Sequence, residues 1–221
     1  MIIEKQRAYI EDMYGEPITK EKGVKIMKAL EKKGRNCYKS EGAITDESYK
    51  SFLKNRVQRD KHESIIEHCS VSAFITTNKA IETEIVRHRI ASYSISSTRY
   101  CNFSKDKFQN QIRVIHPMEI TPEWLSAMEA AEKSYISLTN KGLTPDKVRG
   151  TLPLDILADV WMTTNLREWR HFFNMRCSKA AHFQIREIAF ILLKQFNEVL
   201  PEIFSDIYDT YKDDIDAVME E

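Results

Sequence analysis

The chain has 221 residues, 42% of them hydrophobic and 30% charged, with 33 basic side chains against 33 acidic ones. That length and apolar share suit one domain with a real core, and residues 1–221 are expected to form it. A formal net charge of zero gives no global field to draw nucleic acid or an anionic membrane, so any anion site must be local. No apolar run reaches the roughly 18 residues of a membrane span. The opening segment, MIIEKQRAYIEDMYG, is acidic and broken by charges, so no signal peptide is expected. Cys37, Cys69, Cys101 and Cys177 lie far apart without a Cys-x-x-Cys pair and read as reduced thiols of a cytoplasmic protein.

The first residues are weakly patterned. Val24, Ile26, Met27 and Leu30 predict a helix over Gly23–Lys33, and Asp46–Arg59 reads as a second, capped by Asp46. Ser70–Thr77 is short and β-branched and reads as a strand. A helix over about Lys79–His88 follows from Ile81 and Ile85, four apart. It sets Arg87-His88-Arg89 near a helix C-terminus, where positive charge is favoured. Ala91–Thr98 is a loop by composition. Ile112–His116 reads as a strand ended by Pro117, and Thr121-Pro122-Glu123 opens a helix running to about Asn140. Leu154, Ile156, Ala158, Val160 and Met162 alternate with mostly polar positions, the period of a strand. Asn165 is placed to cap a helix over Leu166–Arg176. Further helices are predicted over about Ala181–Val199 and after Pro201. No repeat or linker divides the chain.

The densest chemistry lies in RHRIASYSISSTRY, from Arg87 to Tyr100. Arg87, His88, Arg89 and Arg99 offer charge and planar forks that match phosphate or carboxylate. Ser92, Ser94, Ser96, Ser97 and Thr98 add hydroxyls on a segment small enough for backbone N–H groups to face a ligand. Alone, Arg-His-Arg would be a solvated helix cap; with Ser-Ser-Thr-Arg behind it, a cradle for a phosphorylated small molecule is favoured. The chain has no Gly-x-Gly-x-x-Gly and no P-loop, so arginines and hydroxyls would have to hold any nucleotide. Downstream, Arg167 and His171 share a helix face, which alone would suit a plain amphipathic surface helix. Ser97 lacks a nucleophile-elbow context and reads as a phosphate-binding hydroxyl. His62 and His68 are six apart and no metal-ligand spacing occurs, so no metal site is expected.

Arg87-His88-Arg89, seven residues, then Ser97 resembles the signature of the flavin-dependent thymidylate synthase family, and the longer RHRIASYS…STRY form is highly specific. Three blocks agree in order and spacing: HESIIEH (His62–His68), Arg149-Gly-Thr-Leu-Pro153, and Asn165 through Arg176. Together they span about Lys61 to Ile188, and GRNCYKS (Gly34–Ser40) is a weaker match. The resemblance implies an α+β fold with a central antiparallel sheet flanked by helices, in a homotetramer whose sites are built between subunits. It implies reductive methylation of dUMP to dTMP, with 5,10-methylenetetrahydrofolate and NADPH as co-substrates and FAD as redox cofactor. Carried over, the dUMP contacts fall on Glu84, Arg87, Ser96, Ser97, Thr98, Arg99, Arg149 and Arg176. Arg176 is the catalytic residue, set against the uracil. The FAD contacts fall on His62, Ser64, Glu67, Arg87, His88, Arg89, Asn165, Arg167 and His171.

The chain departs from the family pattern at several positions. Ile95 and Ser96 stand where Glu or Gln is usual, Ala180 and His182 replace the His and Gln of H-A-Q, and Glu168-Trp169 replace Ser-Leu. These departures motivate an alternative, a flavin- and nucleotide-binding enzyme acting on another pyrimidine nucleotide. A non-enzymatic anion or RNA-binding module stands far behind, because no sustained basic-aromatic face exists.

Overall fold

The computed structural model describes residues 1–117 and 119–220. In chain order the elements are β1 (Ile2–Glu4), β2 (Arg7–Glu11), α1 (Lys20–Asn36), α2 (Ser48–Leu53), β3 (Ser70–Asn78), α3 (Lys79–Ile85) and β4 (Ser92–Ile95). There follow β5 (Arg113–Ile115), α4 (Pro122–Asn140), α5 (Pro145–Val148), β6 (Leu157–Asn165), α6 (Leu166–Arg176), α7 (Phe183–Val199) and α8 (Pro201–Glu220). An antiparallel sheet in the order β2-β3-β6-β4 gives the α+β class expected. A parallel pair, β1 with β5, stands apart, with Ile3 opposite Val114.

Side-chain alternation explains the central strands. Ile156, Ala158, Val160, Met162 and Thr164 are buried and the residues between them are only half-buried, so β6 packs one face tightly. α6 starts where Asn165 Oδ1 accepts the Glu168 N–H at 2.9 Å, satisfying one orphan donor of the first turn. Leu166, Trp169, Phe172 and Phe173 then form a buried stripe at helical spacing.

The chain divides into two compact units interleaved along the sequence. The first comprises Met1–Arg7, Ile75–Arg87 and Ser94–Val160; the second comprises Ala8–Phe74, His88–Tyr93 and Trp161–Glu221. The first has its core in Phe103, Ile112, Val114, Met128, Tyr135, Val148 and Ile156. The second is centred on aromatic packing among Trp169, Phe172, Phe173, Phe196 and Phe204, with ring centroids 4.9 to 5.9 Å apart. There α1 passes close to the end of α7: a Cβ on Gly23 would lie 1.9 Å from the Val199 carbonyl oxygen.

Several elements differ from expectation. Ala91–Thr98 is not all loop, because Ser92–Ile95 pairs as strand β4. Its serines are poor strand formers, and tertiary pairing overrides that preference. α3 stops at Ile85, so Arg87 sits in a turn and His88-Arg89 lies beyond the helix rather than in its last turn. Asp46 does not cap a helix; it pairs with Lys28 at 3.2 Å. α2 begins at Ser48 and continues as a π-helical segment over Lys54–Arg59. The alternating strand begins at Leu157 and runs to Asn165, leaving Leu154 exposed, and α7 starts at Phe183. β1 and β2 had no sequence forecast, although Arg7–Glu11 alternates in burial.

Candidate active site

The predicted residues fall into two sets, one in each unit. The first unit carries Glu84, Arg87, Ser96, Ser97, Thr98, Arg99 and Arg149. Ser96 extends the sheet past β4: its N–H donates to the Asp159 carbonyl at 2.9 Å, and its Oγ accepts the Asp159 N–H at 3.1 Å. Thr76 Oγ1 donates to the Asp159 carboxylate at 2.7 Å, tying β3 to β6 beside this edge. The next residues turn sharply. Ser97 Oγ accepts the Arg99 N–H at 3.2 Å, and the Ser97 carbonyl accepts from Cys101 N–H at 2.9 Å. In that turn the Ser97 hydroxyl acts as an acceptor. Arg87, Arg99 and Arg149 are exposed. Arg149 caps the C-terminus of α5, and Arg99 bears on the same helix: the Asp146 carboxyl lies below its ordinary range first through Thr144, with Lys147 and Arg99 adding their charge. Two predicted phosphate ligands, from distant stretches of sequence, thus meet around α5.

The second unit carries His62, Ser64, Glu67, His88, Arg89, Asn165, Arg167, His171 and Arg176. Ser64 and Glu67 lie exposed on a 3-10 turn over Glu63–His68. Arg167 reaches across from α6 to bond Glu67. His62 is exposed, 2.6 Å from the Tyr38 hydroxyl through Nδ1, and its ring lies nearly parallel to that of Tyr38 with the Arg56 guanidinium on Tyr38. Tyr38, in the weakly matching N-terminal block, was not among the predicted site residues. Arg170, three residues after Arg167, is instead buried, bonded to Glu63 at 2.9 Å and to both Asp206 oxygens at 2.7 and 2.8 Å.

The two Arg-rich segments of the sequence converge at His88, which is 3% exposed. Its Nδ1 lies 3.0 Å from Glu168 Oε1 and its Nε2 accepts from Arg176 Nε at 3.1 Å. The His171 ring stands edge-on to it at 5.6 Å. Tyr93 donates its hydroxyl to the His88 carbonyl at 2.6 Å, and Thr164 Oγ1 bonds the Ile90 carbonyl, which pins this irregular stretch. Burial, with Arg176 and His171 beside it, holds the imidazole below its ordinary pKa despite the opposing pull of Glu168. Burial also pushes Tyr93 up to about 12, with the Glu168 charge adding. Sequence reasoning noted Glu168 only as a departure from pattern. Its position three residues after the Asn165 cap and three before His171 was the signal available.

His88, Glu168 and His171 have the ligand types of a cation site, with donor atoms within 4.8 Å of one another. However, the Arg176 guanidinium already faces His88 Nε2, so an ion there would have to displace a permanent cation. Cysteine chemistry finds no support in two of the thiols: burial pushes Cys69 up to about 11 and Cys177 up to about 12.

The family model described as "Thymidylate synthase complementing protein" matches residues 24–202. The chain belongs to this family. A flavin-dependent thymidylate synthase of Geobacter sulfurreducens is 33% identical over 181 residues, 78% of each chain. One from Mycolicibacterium gilvum is 32% identical over 196 residues, 78% of this chain and 76% of that one. Among solved structures, thymidylate synthase X of Helicobacter pylori with FAD and dUMP is similar with a TM-score of 0.71 at 18% identity, covering 82% of this chain and 94% of that one. A UMP/dUMP methylase of Streptomyces cacaoi bound with 5-Br dUMP gives 0.72 at 14% identity, covering 95% and 97%. These last two likenesses establish the fold that the family's motifs implied.

Proposed function

We propose that the protein is a flavin-dependent thymidylate synthase: it converts dUMP to dTMP with 5,10-methylenetetrahydrofolate as carbon donor and NADPH as reductant. It acts in the cytoplasm as a single domain over residues 1–221 and assembles as a homotetramer with sites built between subunits. The observation that carries this reading is the family match over residues 24–202, within which the Arg87–Tyr100 segment keeps every arginine of its signature. Family membership leaves no ground for a non-enzymatic RNA-binding module.

On this reading Arg87, Arg99 and Arg149 take the dUMP phosphate, with Ser96, Ser97 and Thr98 donating hydroxyl or backbone hydrogen bonds and Glu84 meeting the sugar. Arg176 lies against the uracil and stabilises negative charge as the ring is activated. The donor set in the second unit suits a dinucleotide. His62, Ser64, Arg89, Arg167 and His171 are exposed polar groups, and Asn165, whose Oδ1 caps α6, keeps its amide N–H₂ as a donor. Glu67 orients Arg167, and His88 orients Arg176. FAD bound there would supply the hydride chemistry; the protein supplies position and charge.

The test is a visible spectrum of purified protein after FAD is added and excess removed, followed by dUMP titration and then turnover. A retained flavin spectrum that shifts with dUMP, followed by dTMP formation, is expected. Retained flavin with no response to dUMP would overturn the substrate assignment. A second reading, action on another pyrimidine nucleotide, is favoured at two adjacent positions. The Ser96 hydroxyl is engaged by the Asp159 N–H, and Ile95 brings an apolar side chain to a position that is usually polar in the family. The same titration with other pyrimidine nucleotides separates the two readings.

A further inference from the structure

We propose that Glu168 is a positioning residue: it fixes His88 as the Nδ1–H tautomer, so that His88 Nε2 anchors the Arg176 guanidinium. The function of this relay rests on the synthase reading above.

An arginine Nε–H can only donate, and it points at His88 Nε2 from 3.1 Å, so Nε2 must carry a lone pair and no proton. A neutral imidazole then has its proton on Nδ1, where Glu168 Oε1 accepts it at 3.0 Å. A carboxylate at this place selects the only tautomer that Arg176 tolerates. His88 and Glu168 are both buried, so water offers no substitute partner. Proton, lone pair and cation form one line: carboxylate, imidazole, guanidinium. The same logic holds wherever a carboxylate orients a histidine that serves a third group.

The surroundings agree. The titratable and charged groups facing His88 are Glu168 and His171 on α6, Arg176 at its end, and Tyr93 at the start of β4. Two of them, Arg176 and His171, oppose a second proton on the ring, as does burial. At neutral pH the relay is therefore intact. In acid, a proton on Nε2 would set imidazolium against guanidinium and release Arg176. The Glu168 charge favours that second proton, so removing the charge defers the release to lower pH and the variants below differ in a predictable way.

The experiment uses full-length protein labelled with ¹⁵N-histidine, with His88 assigned by comparison with H88Q, and dUMP turnover measured across pH on the same samples. In the wild type, Nδ1 is expected to be protonated and Nε2 bare at pH 7.5. Glu168→Ala should give a mixed or reversed tautomer and a kcat lower by roughly 10- to 100-fold, by analogy with metal-ligating histidines that lose the carboxylate orienting them. Glu168→Gln keeps an acceptor oxygen without the charge. It should recover part of kcat, while the acid limb of its pH profile moves to lower pH because the carboxylate no longer favours the protonated ring. A wild-type His88 protonated on Nε2 would overturn the relay, as would an alanine variant with unchanged tautomer and kcat. The nitrogen spectra decide the relay without turnover. Wild-type protein that holds the expected tautomer but makes no dTMP would refute the synthase reading alone.

Discussion

Arg167 and Arg170 lie three residues apart on α6, yet the structure assigns them opposite work. Arg170 is almost wholly buried and makes charge-assisted hydrogen bonds to Glu63 and to both oxygens of Asp206, besides one to the Ile203 carbonyl. Arg170→Ala would take from Glu63 and Asp206 the buried cation they share, leaving Asp206 with Lys61 alone. Breaking a buried ion pair costs about 3–5 kcal/mol. The Glu63 and Asp206 side chains keep 22% and 24% exposure, so water would relieve part of that penalty and the lower end applies, about 3 kcal/mol. For a chain of this size that corresponds to a fall in Tm of roughly 6–12 °C. Arg167 is half exposed and its pair with Glu67 is worth about 0–1 kcal/mol, so Arg167→Ala should shift Tm by only about 0–4 °C while weakening flavin retention. Differential scanning fluorimetry and flavin absorbance on both variants check this. A Tm loss below about 2 °C for Arg170→Ala, or equal losses for the two, would refute the division of labour.

The remaining expectations are narrower. Gly23→Ala forces a Cβ into the Val199 backbone and should cost about 1–3 kcal/mol by thermal denaturation, whereas Gly150→Ala, with nothing within 4 Å, should leave Tm unchanged. Asp206 is held below its ordinary pKa: burial opposes this, but Arg170 and Lys61 prevail. Its contribution to stability is thus complete above the unfolded value of about 3.9 and lost as pH falls through the lower folded value. Asp206→Asn should remove that segment of an acid-denaturation curve. Arg99→Gln, at an exposed position beside Asp146, should raise the dUMP dissociation constant about tenfold with little change in Tm. Equal dUMP titrations for variant and wild type would remove Arg99 from the phosphate site.

Much of the fold is legible because short-range rules decide it. α6 falls where the Asn165 cap and the apolar stripe put it, and α4 begins with Thr121 accepting from the Trp124 N–H and Pro122 at its first position. β4 was not legible, since Ser-Tyr-Ser-Ile is only four residues long, with Tyr93 and Ile95 set between serines in a hydroxyl-rich stretch, and its extended form is fixed by its sheet neighbour. The end of α3 was missed for the same kind of reason: nothing in Val86-Arg87-His88 breaks a helix, but tertiary bonds from Tyr93 and Thr164 hold the segment that follows.

By itself the sequence determined which chemistry the protein carries: the arginines and hydroxyls of Arg87–Tyr100, the spacing to Ser97 and the downstream blocks that mark the family. Side-chain type and spacing along a chain are local properties, and the signature is made of those alone. Only the tertiary structure decided which charges are buried within the fold and which stay at its surface. Arg167 and Arg170 have the same side chain, and their difference lies in what packs around each. Only it, too, brought Glu168 to His88 from 80 residues away. A tautomer is chosen by the partners on both ring nitrogens, and those partners, both on α6, reach the ring only when α6 and the segment after α3 have come together.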